Sequence, residues 1–63
     1  MAFFTVQNKF HKTSLATTEA TQAYNWAVLR AKATEHPTAI ITRDIKTNVV
    51  GLYMVRPDGK VGG

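Results

Sequence analysis

The sequence predicts a small α+β domain in the order β-α-β-β, with a three-stranded antiparallel sheet ordered 1-3-2 and one helix packed on one face. Three observations carry this. A segment free of Gly and Pro runs to Glu35 and is stopped by Pro37. Runs rich in β-branched and aromatic residues flank it on both sides. Two turn-forming clusters punctuate the second half of the chain.

Phe3 to Phe10, FFTVQNKF, reads as the first strand. Phe4, Val6 and Phe10 share one side with Asn8, and Phe3, Thr5, Gln7 and Lys9 share the other. A second reading stays open: a hairpin turning at QNK with FHKT as a short second strand, though no Gly marks that turn. KTSLATTEA then offers helix-start chemistry. Ser14 or Thr17 can accept from free backbone N–H groups, and Glu19 suits the positive end of the helix dipole. The helix is expected over about 17–35, because the residue before a proline disfavours helical geometry. TAIITRD and VVGLYMV read as two strands joined by DIKTN, where Asn48 tolerates a positive φ. The run 49–55 is the most apolar and is expected at the sheet centre. RPDGK is a turn, and residues 59–63 are expected to be a flexible tail of a single domain spanning 1–63.

The helix has two apolar stripes. Ala20, Ala23, Tyr24, Ala27, Val28 and Ala31 gather on one side at 100° per residue, and Leu15, Trp26, Leu29 and Ala33 gather roughly opposite. Small alanine side chains permit close approach to a sheet, which leaves the bulky stripe for a second molecule, a copy of this chain or another protein. Two other readings stay open: the bulky stripe is the core and the alanine stripe is exposed at little cost, or Trp26 folds over a neighbouring loop. The sheet raises the same question. With Phe4, Val6, Phe10, Ile41, Val50, Leu52 and Met54 toward the helix, the far side holds Phe3, Ile40, Val49, Tyr53 and Val55 with nothing to cover them.

With 63 residues the core is thin, and a chain of this size leans on good packing or on association. The absence of cysteine excludes disulfides and thiolate metal sites and fits a reducing compartment. Two histidines, His11 and His36, cannot close a zinc site. No apolar run approaches a membrane span of about 20 residues, and MAFF lacks the length and basic flank of a signal peptide, so a cytoplasmic location is expected. Eight Lys and Arg against four Asp and Glu give a net charge of +4, which favours acidic partners. No phosphate-binding loop, dinucleotide fingerprint or nucleophile elbow occurs. Ser14, His11 and Asp44 supply the residue types of a triad, but their spacing does not bring them together. No catalytic, cofactor or metal site is expected.

The closing Gly62-Gly63 resembles the tail of ubiquitin-like and sulfur-carrier proteins. That resemblance implies a β-grasp fold and adenylation of the tail by an activating enzyme. Two residues carry it, and the Pro57-Asp58-Gly59 turn interrupts the strand-to-tail run such a fold needs. Nucleic-acid binding is the rival from another class, on a sheet face with Phe3 and Tyr53 to stack bases and Lys9, Arg43, Thr5 and Thr42 beside them. The reading that fits most residues is a non-catalytic protein-binding module that self-associates. Chains this small are often accessory factors or inhibitors, phage-encoded inhibitors of host proteins included. Its expected interface is Trp26, Leu29, Ala33 and Leu15.

Overall fold

The computed structural model describes residues 2–62. Along the chain they form β1 (Ala2–Asn8), β2 (His11–Thr17), α1 (Ala20–Thr34), β3 (Thr38–Asp44), β4 (Val50–Val55) and β5 (Val61–Gly62). The strands make one sheet in the order β2-β1-β3-β4-β5, with every neighbouring pair antiparallel.

This overturns the three-stranded sheet in the order 1-3-2, for two physical reasons. The stretch HKTSLAT is an edge strand, and an edge strand with one watered side needs little apolar content. Its Ser and Thr residues imitate helix-capping signals. The turn before it uses no glycine, because the Asn8 side chain closes it: its Oδ1 accepts the Phe10 N–H at 2.8 Å. Apolar content, in turn, does not equal centrality. β3 holds the centre between β1 and β4. β4 is rich in Val, Leu and Met because three of them, Val50, Leu52 and Met54, line a sheet face that nothing among the described residues covers.

The facing of β3 and β4 is likewise the reverse of the expectation. The register pairs Val6 with Ile40 and Ile40 with Tyr53, and Thr38 with Val55. Side chains alternate along a strand, so Phe4, Val6, Ile40, Tyr53 and Val55 share the helix side. Ile41, Val50, Leu52 and Met54 join Phe3 on the other. Val49 falls in the loop before β4, and Phe10 sits in the β1–β2 turn, its ring stacked on His36 at 4.0 Å.

α1 starts later than expected, since residues to Thr17 belong to β2. Its N-cap is Glu19, with no side-chain cap bond. Thr17 instead organises the connection: its Oγ1 accepts the Glu19 N–H at 3.1 Å and donates to Gln22 Oε1 at 2.8 Å. The helix ends on Glu35 in the left-handed conformation, φ 59°, two residues ahead of Pro37. Ala23, Ala27 and Ala31 press onto the sheet and are buried. With Val6, Ile40 and Val55 they make up the apolar core, against which Phe4, Leu15, Trp26 and Val28 pack half-buried. The largest fully buried side chains are only Val6, Val55 and Thr38, so the core is thin because helix and sheet approach closely.

Polar groups tie α1 to the sheet and its turns. Asn8 Nδ2 donates to Thr34 Oγ1 at 2.8 Å and to Thr38 Oγ1 at 2.7 Å, tying hairpin, helix end and β3 together. From the first half of α1, Tyr24 Oη donates to the Gly59 carbonyl at 2.6 Å. Gly59, φ 87°, closes the turn into β5, so part of the expected 59–63 tail is paired to β4; Gly63 lies outside the described residues. Asn48 has the positive φ expected of it, 58°.

The uncovered sheet face as a candidate binding site

A sheet has two faces, and α1 covers one. On the other, Phe3, Val50 and Leu52 are each about half exposed, Met54 is somewhat less so, and Ile41 and Ala39 are half-buried among them. Strand spacing and rise give the four long strands a footprint of roughly 400 Å², which the apolar residues share with Thr5, Gln7 and Arg43. A contiguous exposed apolar patch within it is a candidate interaction surface.

Two shallow depressions lie at opposite ends of this face. One, of about 340 Å³, is lined by Phe3, Thr5, Ala16, Ile41, Arg43 and Val50. The other, of about 480 Å³, is lined by Gln7, Asn8, Lys9, Ser14, Pro37, Ala39 and Met54. Arg43 stands opposite Phe3 where β1 begins, and Lys9 follows the end of β1. A cation therefore marks each end. The four acids are elsewhere: Glu19 and Glu35 at the ends of α1, Asp44 at the start of the β3–β4 turn, Asp58 in the β4–β5 turn.

The two edges of the sheet differ. β5 has two residues and pairs only Met54 and Val55, so the β4 edge is open from Val50 to Tyr53. β2 pairs with β1 through Leu15 to Thr17 and again at His11, and its register shifts between. Such a bulge spoils an edge as a template for a further strand. Arg30, a buried residue, donates from its guanidinium Nη1 to the Thr13 carbonyl in this irregular stretch.

Of the residues the sequence singled out for nucleic acid, the structure brings Phe3, Arg43 and Lys9 to the uncovered face. Thr5 lies there too. Tyr53 and Thr42 alternate to the helix side, where Tyr53 is still 47 % exposed. Of the expected helix interface, Leu29 is 65 % exposed and Ala33 is exposed, whereas Trp26 packs against the core. Leu15 also packs there, from β2 rather than from the helix. The four do not form one exposed stripe. What sequence reasoning missed is the aliphatic set Ile41, Val50, Leu52 and Met54. Alternation in VGLYMV signals a two-faced strand, but only pairing partners tell which face is covered.

Among the described residues, no group of three or more His, Asp or Glu side chains is placed to hold a metal ion. No helix among them is long and apolar enough to cross a membrane. No family model matches the chain, and comparisons with curated proteins and with solved structures each find no match.

Proposed function

We propose that this chain is a non-catalytic protein-binding module that works through the uncovered face of its sheet. The supporting observation is the aliphatic character of that face. Base recognition on a sheet rests on aromatic platforms. With Tyr53 turned to the helix side, Phe3 is the one aromatic residue among the described strand side chains that alternate to the uncovered face. Ile41, Val50, Leu52 and Met54 instead suit the apolar centre of a protein interface, and methionine adapts to irregular partners.

The test is capture from nuclease-treated extract of the source cells with three tagged forms: wild type, Leu52→Asp with Met54→Asp, and Leu29→Ser. A protein retained by wild type and by Leu29→Ser but lost by the sheet-face variant supports the reading. Loss with Leu29→Ser alone would move the interface to the outer side of α1. Loss on nuclease treatment would replace a protein partner with nucleic acid.

A further inference from the structure

We infer that the uncovered face takes an acidic amphipathic helix of another protein, laid along the strands with its apolar side on Ile41, Val50, Leu52 and Met54 and its carboxylates toward Lys9 and Arg43. This rests on the protein-binding reading above and adds the chemistry of the partner.

Charge complementarity carries the inference. The face has an aliphatic middle, a cation at each end, and no Asp or Glu among the described side chains that alternate to it. Lys9 and Arg43 are about six residues apart along the strand direction, roughly 20 Å at the rise of a β-strand. A second copy docked face to face meets the wrong sign in either direction. Parallel or reversed, a cationic end lands on a cationic end. A partner with carboxylates flanking an apolar stripe meets the right sign at both ends.

The edges narrow the form of the partner. β2 is bulged and offers no regular ladder, whereas β5 pairs only Met54 and Val55 of β4 and leaves that edge open from Val50 to Tyr53. The two cations flank the face and not that margin, so a partner matched to them lands on the face. A helix about 10 Å across fits over the width of four strands, and about 14 residues of it span 20 Å at 1.5 Å per residue. The same sheet already takes a helix on its other face.

The experiment uses the full chain and two synthetic 18-residue helical peptides with the same leucine and alanine stripe. One carries glutamate on both flanks and the other carries lysine. The acidic peptide is expected to bind about tenfold or more tighter at low salt, and the gap should narrow at high ionic strength as screening grows. Lys9→Glu with Arg43→Glu should reverse the preference. Lys32→Glu with Lys60→Glu makes the same change in net charge away from the face and should leave the preference in place. Circular dichroism on each variant separates lost folding from lost binding, and shifts in the amide spectrum at Ile41, Leu52 and Met54 locate the peptide.

Equal binding of both peptides would overturn the charge argument and leave the protein-binding face standing. Binding of neither peptide would overturn the helical partner, and the capture experiment then decides the broader reading alone. Self-association that Leu52→Asp abolishes would show that a second copy fills the face. Tighter binding of a single-stranded thymidine oligonucleotide than of the acidic peptide would overturn the inference in favour of nucleic acid.

Discussion

Asn8 is the residue on which the most separate pieces of chain converge. Its amide serves Thr34, Thr38 and the Phe10 N–H, from helix end, central strand and turn. Asn8→Ala strips all three, leaving a fully buried Thr38 hydroxyl short of a donor. A loss of about 2–4 kcal/mol is expected in urea unfolding, since orphaned buried polar groups cost more than the bond itself. Glu35 presents the opposite case. It holds a left-handed φ that glycine adopts without steric cost. Glu35→Gly should therefore stabilise the domain by about 0.5–1 kcal/mol, read as a raised urea midpoint. Asp44 sets the acid limit of its turn. The backbone N–H of Thr47, and then that of Lys46, donate to its carboxylate and hold its pKa below the ordinary 3.8. A depressed pKa contributes stability that is fully present above the unfolded value. That contribution starts to fall as pH drops past 3.8 and is gone below the folded value. Asp44→Asn should flatten the pH dependence of unfolding in that window, and a carboxyl titration followed by NMR should show the lowered midpoint.

At the level of the element, α1 separates two roles that the sequence joins. Trp26 leans on the core, and Leu29 stands in water. Trp26→Ser is expected to cost several kcal/mol, as truncations of large packed side chains do, while Leu29→Ser should change stability by less than about 0.5 kcal/mol. Far-UV circular dichroism during urea titration of the two single variants distinguishes them. The alanine stripe is legible in the sequence because period and side-chain size are both local properties, and Ala23, Ala27 and Ala31 lie where they predict, while Ala20, at the first turn, is exposed. The setting of Trp26 is not. Its side of α1 is shared by Arg30, one turn on, which reaches Thr13 of β2, and that strand is disguised in the sequence as a helix start. The same disguise hides the extent of β2: the hairpin reading turning at QNK finds a second strand but stops it at Thr13, whereas it runs from His11 to Thr17 and Asn8 closes the glycine-free turn before it. Composition marks β3 and β4 as strands. It does not give their facing, because two apolar rows in one strand look alike until the paired strand shows which row meets Val6.

For the whole molecule, the uncovered face is legible in the sequence only as a surplus: more apolar side chains than one helix can bury. Which residues make up that surplus depends on the global order of strands, and no local pattern reports it. With α1 on one side of the sheet, a partner that takes the proposed face finds one such surface on each chain. Its valence on that surface is one. A component with one attachment point terminates an assembly instead of extending it: it can sit on a target and shield what lies beneath, but it cannot bridge two targets. Titration against its partner should saturate at one chain per site, and light scattering on the mixture should stop at a complex of fixed mass however much of the protein is added.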